Sequence, residues 1–243
     1  MNPMMNPEAL HQELRAAVRL FWQTRKDQTD KQQTSGKSDQ GARAAATGGA
    51  QMNGFIRLFR HLIESAGISE RCVFTRTKLQ LPGFFRPTKE WDVVVVVGGQ
   101  LVLAIEAKSH VGSFGNNFNN RTEEAMGSSL DLWTAFREGA YKSTIRPWLG
   151  YLMLLEDSPK SQKPVKTREP HFKVFPEFAD ASYATRYEHF CRRLVRERNY
   201  DAACLLTSPS ELGLNGVYSQ PAHDLEFGVF AKALIAHASA YAT

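Results

Sequence analysis

Three charged side chains stand inside one apolar stretch of this chain: Asp92, Glu106 and Lys108, within W-D-V-V-V-V-V-G-G-Q-L-V-L-A-I-E-A-K-S-H, residues 91–110. Charges rarely enter strands rich in Val, Ile and Leu, which are usually buried on both faces, unless they are paired or bind an ion. Two carboxylates held together on rigid strands can bind a hard cation such as Mg²⁺, at about 2.0–2.1 Å, and leave positions for water and phosphate oxygens. A lysine beside them can orient the attacking water, help deprotonate it when desolvation depresses its pKa, and stabilise developing negative charge. The plain alternative is a buried ion pair between strands. Two acids against one base, however, leave a negative charge that a cation would balance.

This chemistry makes a demand on the elements that carry it. Two β-branched runs split by Gly98-Gly99 predict a hairpin, with strands near residues 91–97 and 101–109. Glu106 and Lys108, two apart on a strand, share a face. Asp92 joins them only if it lies opposite Glu106, which a three-residue loop of Gly98, Gly99 and Gln100 or a β-bulge would achieve. A two-residue Gly98-Gly99 turn alone pairs Asp92 with Ile105 and sends the carboxylates to opposite faces. Glu90, two residues before Asp92, would share its face and is a rival for, or an assistant to, the first carboxylate.

Around the hairpin, periodicity and breakers predict a helix over 7–22 and an amphipathic helix over 52–66 that stops at Gly67. A strand over 72–81 ends at Pro82-Gly83. Asn120 and Glu123 have capping-box spacing for a helix reaching about Tyr141, and a strand follows over 149–155. The order is helix, three strands, helix, strand. Further on come a helix over 182–198, a short strand over 202–207 and a closing helix over 224–241. Residues 23–51, polar and basic, read as a mobile loop: a solvated linker, or an arm containing Lys37 and Arg43 that orders on DNA. Gly36-Lys37-Ser38 does not extend into a P-loop, because Lys31 stands where that motif needs glycine. Residues 157–176 form a second basic loop stiffened by prolines, and its Lys163, Lys166 and Arg168 are candidate phosphate contacts.

The chain of 243 residues carries a net charge of +5 and a pI near 9.1, which fits a polyanionic partner without requiring one. Its length suits a single domain over 1–243. Cys72, Cys191 and Cys204 have no paired spacing, so they read as core thiols in a reducing cytoplasm, neither a disulfide framework nor a zinc site. No apolar run approaches the ~20 residues that span a bilayer, so no membrane partner is expected. His61, His110, His171, His189, His223 and His237 form no H-E-x-x-H or other metal-binding pair.

An aspartate on one strand followed by Glu-X-Lys on the next resembles the PD-(D/E)XK nuclease core. More specifically, W-D-V-V-V-V, A-I-E-A-K-S-H-V-G-S-F-G-N-N-F-N-N-R and A-M-G-S-S-L-D-L-W-T-A-F-R-E-G-A resemble the XhoI family of type II restriction endonucleases. Trp91 departs from the pattern, since proline is usual before the aspartate. The resemblance implies an α/β (α+β) restriction-endonuclease-like fold, a central mixed sheet flanked by helices in αβββαβ order. It implies catalysis by Asp92, Glu106 and Lys108, with Mg²⁺ held by Asp92, Glu106 and the Ala107 carbonyl. Glu64, at the end of the second helix, is either a further carboxylate, as in some relatives of this fold, or a solvated residue. The implied activity is Mg²⁺-dependent hydrolysis of double-stranded DNA at CTCGAG, after the first C. The alternative is a structure-selective repair or recombination nuclease. A palindrome implies a homodimer, and a cognate DNA methyltransferase would modify the same site without contacting this chain. Asn116, Asn117, Asn119, Asn120 and Arg121, just past the catalytic strand, either read or grip DNA or merely turn and cap the chain.

Overall fold

The structure, a computed structural model, describes residues 6–35, 49–142 and 145–243, without the side chains of residues 31–35 and 116. Its strands are β1 (Val73–Phe74), β2 (Gln80–Pro82), β3 (Thr88–Glu90), β4 (Val93–Val97), β5 (Gln100–His110), β6 (Trp148–Glu156) and β7 (Ala202–Ser208). Its main helices are α1 (Pro7–Ser35), α2 (Asn53–Ser65), α3 (Phe114–Arg137), α4 (Tyr183–Arg196) and α5 (Phe227–Ser239). Five strands form one mixed sheet in the order β1-β4-β5-β6-β7, antiparallel as far as β5 and parallel from β5 to β7.

The valine and leucine runs are apolar on both sides because the sheet is covered on both sides. Val93, Val95, Leu103, Ile105, Leu152 and Leu154 pack with Phe21 of α1, Phe55 and Phe59 of α2, and Phe230 and Leu234 of α5. On the opposite face Val94, Ala104, Leu149, Met153 and Leu205 pack with Phe118 and Trp133 of α3 and with Tyr187 and Leu194 of α4. Glu106 and Lys108 belong to this second face, so α3 and α4 make the wall behind them.

Several boundaries differ from the sequence expectation. Helix α1 continues through residues 23–35, which were expected to belong to a loop. That segment has no glycine or proline and contains many straight-chain residues with good helix propensity. Lys37 and Arg43 lie outside the described residues. The single strand expected over 72–81 is divided: Lys78 adopts φ 60°, and beyond it β2 pairs only with β3 in a separate two-stranded sheet. Helix α3 begins at Phe114, so the asparagine-rich stretch is helical and Asn120 is no cap. Packing decides this start, because Phe114 and Phe118, one turn apart, both bury against α4. The loop of 157–176 contains one helical turn, Pro159–Gln162. Cys191 and Cys204 are buried free thiols, whereas Cys72 is only half-buried. Among the described residues, no helix is long and apolar enough to cross a membrane.

Candidate active site

The hairpin meets the demand on register by a bulge. Val97 pairs with Gln100 across a two-residue turn in which Gly98 and Gly99 both have positive φ, so the three-residue loop is not formed. Val95 faces Leu103 while Val96 faces Leu101, which leaves Val102 as the extra residue. The bulge shifts every later pair by one. Val93 then pairs with Ile105, where the register of β4 ends, and Asp92, just before the strand, donates its N–H to the Ile105 carbonyl at 3.1 Å while its carboxylate reaches the face that carries Glu106.

Asp92 Oδ2 accepts the Ala107 N–H at 2.8 Å, which ties its carboxylate to β5. Glu106 is 1% exposed. Its Oε1 takes the Lys108 and Lys89 ammonium groups, each at 3.0 Å, and its Oε2 accepts the Tyr200 hydroxyl at 3.0 Å. Lys108 also lies 3.9 Å from Glu124 of α3, so the amino-terminal half of that helix flanks the site. Burial pushes the Asp92 carboxyl above its ordinary value and Glu106's charge adds to the shift, outweighing the Ala107 N–H and the lysines. Burial also opposes ionisation of Glu106, but Lys108 and Lys89 outweigh it and hold that carboxyl below its ordinary value. Lys108 is desolvated too, yet Glu106 and then Asp92 raise its pKa.

Lys89 corrects one expectation. It supplies a second base, so the buried acids are neutralised and the charge argument for a cation loses its force. The donor set still suits Mg²⁺, because the two carboxylates supply hard oxygens on adjacent rigid strands. Among the described residues, no group of three or more His, Cys, Asp and Glu side chains is disposed to hold a metal, so ligands beyond the pair must come from backbone, water or substrate.

The other candidates fall elsewhere. Glu90 ends β3, is exposed, and accepts Gln80 Nε2 at 3.0 Å. The chain leaves strand geometry between it and β4, so the two acids do not share a strand. Glu64 pairs with Arg60 at 2.6 Å within α2. Asn119 and Asn120 are exposed and Asn117 half-buried on the first turns of α3, and Arg121 pairs with Glu124 at 2.8 Å. Lys163, Lys166 and Arg168 are exposed along the basic loop, where Phe172 and Phe175 are exposed as well.

Sequence reasoning missed Lys89 and Tyr200. A lysine close before Trp91-Asp92 was a faint signal, since its ammonium sits 4.6 Å from the Trp91 ring centroid. Tyr200 had none, being 94 residues from Glu106 along the chain. Tyr200→Phe keeps the ring but removes the hydroxyl that Glu106 and the Ala125 carbonyl share. It is expected to lower unfolding free energy by about 1–3 kcal/mol in urea titration. An unchanged midpoint would show that this contact contributes nothing.

A family model described as restriction endonuclease XhoI matches residues 31–220. The type II restriction enzyme BstVI of Geobacillus stearothermophilus is 56% identical over 211 residues, covering 84% of this chain and 94% of that protein. The type II restriction enzyme XhoI of Xanthomonas vasicola is 46% identical over 184 residues, covering 74% of this chain and 73% of its own length. The type II restriction enzyme AbrI of Azospirillum brasilense is 48% identical over 161 residues, covering 65% and 72% respectively. No solved structure matches. The sheet and its buried acids thus sit in an enzyme of the nuclease class, a hydrolase of phosphodiester bonds. The chain belongs to the XhoI family of type II restriction endonucleases. Enzymes of that class act on double-stranded DNA and generally use divalent metal ions.

Proposed function

We propose that this protein cuts double-stranded DNA at the palindrome CTCGAG, after the first C of each strand, leaving 5′ overhangs, and that it requires Mg²⁺. We read the sheet and helices as a PD-(D/E)XK core in αβββαβ order. The observation that supports this reading is the cluster around β5, where Asp92 Oδ2 accepts the Ala107 N–H and Lys108 contacts Glu106. Bound Mg²⁺ would supply an activated water and neutralise charge on the phosphate. Asp92, Glu106 and the Ala107 carbonyl would hold it. The Ala107 N–H fixes the Asp92 carboxylate in place. Lys108 stabilises the negative charge of the five-coordinate phosphate and positions the water. Water adds to phosphorus, the 3′ oxygen leaves as a hydroxyl, and the 5′ end keeps the phosphate.

Exposed Lys163, Lys166 and Arg168 would track the DNA backbone, while Asn117, Asn119 and Asn120 lie on the helix that flanks Lys108. A two-fold site is met most simply by a homodimer, each protomer cutting one strand. A methyltransferase that modifies the same sequence would protect the host DNA. Plasmid incubated with Mg²⁺ is expected to give discrete fragments whose sequenced ends all begin 5′-TCGA. Smearing, branch-dependent cutting or intact plasmid would refute this specificity, and branch-dependent cutting would favour the repair alternative.

A further inference from the structure

Glu106 has one oxygen with two ammonium groups on it, an arrangement the proposed reaction does not require. Lys108 reaches that oxygen from the same strand, two residues on. Lys89 arrives from β3, which pairs only with β2, and its side chain is 11% exposed. Besides Glu106, its Nζ donates to the Glu90 carbonyl at 3.1 Å and stands 4.6 Å from the Trp91 ring centroid. The ammonium therefore has two other attachments that survive if Glu106 is given up, and four methylenes allow it to leave without moving the backbone.

We propose that Lys89 occupies the cation position at Glu106 in the DNA-free protein and competes with the divalent ion for it. The inference rests on the reading that Asp92 and Glu106 hold that ion. Charge explains why the exchange would await substrate. Without DNA, Asp92 and Glu106 are balanced by Lys89 and Lys108. With Lys89 withdrawn, a divalent cation and Lys108 face the same two acids plus one phosphodiester, and the site is again neutral. Loading the cation without the phosphate leaves excess positive charge in a buried site, which is unfavourable at low dielectric. Lys89 thus acts through Glu106 as a positioning residue that couples cation loading to DNA.

The test is Ca²⁺ binding by calorimetry to DNA-free wild type, Lys89→Met, Lys89→Gln and Lys89→Arg, with circular dichroism confirming each fold. Lys89→Met is expected to bind Ca²⁺ at least about tenfold tighter than wild type, and Lys89→Arg no tighter. The gain should vanish in Lys89→Met/Asp92→Asn. Lys89→Gln keeps a hydrogen-bond donor without charge and should show the same gain, so it carries the test if the methionine variant does not fold. Affinity in the uncharged variants equal to or weaker than wild type overturns the proposal. Ca²⁺ binding in the presence of a CTCGAG duplex separates the two layers. If Asp92→Asn abolishes that binding while Lys89→Met leaves DNA-free affinity unchanged, only the competition fails. If Asp92→Asn leaves it intact, the cation site itself is wrong.

Discussion

Asp92→Asn is expected to slow DNA cleavage by roughly 10³-fold or more while leaving the folded protein at least as stable as wild type. The two effects separate because the carboxylate has two tasks. Structurally, it accepts the Ala107 N–H, which an asparagine carbonyl oxygen also does. Chemically, it supplies a negative charge that burial opposes, as its raised pKa indicates. A carboxyl whose folded pKa lies above its unfolded one is favoured in the folded state when protonated, and that advantage is lost as pH rises through the folded value. At neutral pH the ionised form therefore costs stability, and the neutral amide removes that cost. Lys108→Met should slow cleavage by about 10²–10³-fold, since it removes one preorganised charge. DNA binding, measured by gel shift in Ca²⁺, should survive both changes. Single-turnover rates close to wild type in either variant would refute the assignment, and a large drop in melting temperature for Asp92→Asn would refute the account of its burial.

What the sequence made legible follows from which signals are local. The β-branched runs, the Gly98-Gly99 punctuation and the three misplaced charges lie within one short stretch, and the structure brings those charges together. The bulge was legible only as one of two ways to satisfy register, because an unbroken valine run carries no mark of where an extra partner residue falls. Helix α3 starts and ends earlier than the capping-box spacing of Asn120 suggests, since its start is decided by Phe114 and Phe118 packing on α4, far along the chain. Lys89 and Tyr200 stayed hidden for the same reason: each belongs to the site only through contacts that tertiary packing creates. The extent of α1 is a local matter: the polar composition of residues 23–35 suggests a loop, and their helix propensity prevails.

Packing of that kind also holds the β2–β3 hairpin over the site, and Asp131 is its anchor. This nearly buried carboxylate on α3 accepts the Phe84 N–H at 2.6 Å, the Phe85 N–H at 2.8 Å and Arg86 Nε at 2.7 Å. Tyr141 adds a hydrogen bond to the Pro82 carbonyl at 2.6 Å. Gly83 permits the approach, since a Cβ there would collide with the Asp131 carboxylate. Asp131→Ala leaves these donors without their acceptor and is expected to lower unfolding free energy by about 2–4 kcal/mol in urea. Burial raises the Asp131 pKa, but the Phe85 N–H, Arg86 and the Phe84 N–H outweigh it and hold the carboxyl below its ordinary value. The stability it contributes is thus complete above the ordinary carboxylate range and is lost as pH falls through the depressed value. Wild type should accordingly lose more stability on acidification than Asp131→Ala, and the two unfolding curves should converge at low pH. A constant difference between them would mean that Asp131 acts by packing alone. Because Lys89 is carried on the anchored hairpin, the alanine variant should also loosen the contact between Lys89 and Glu106 and raise Ca²⁺ affinity in the same direction as Lys89→Met.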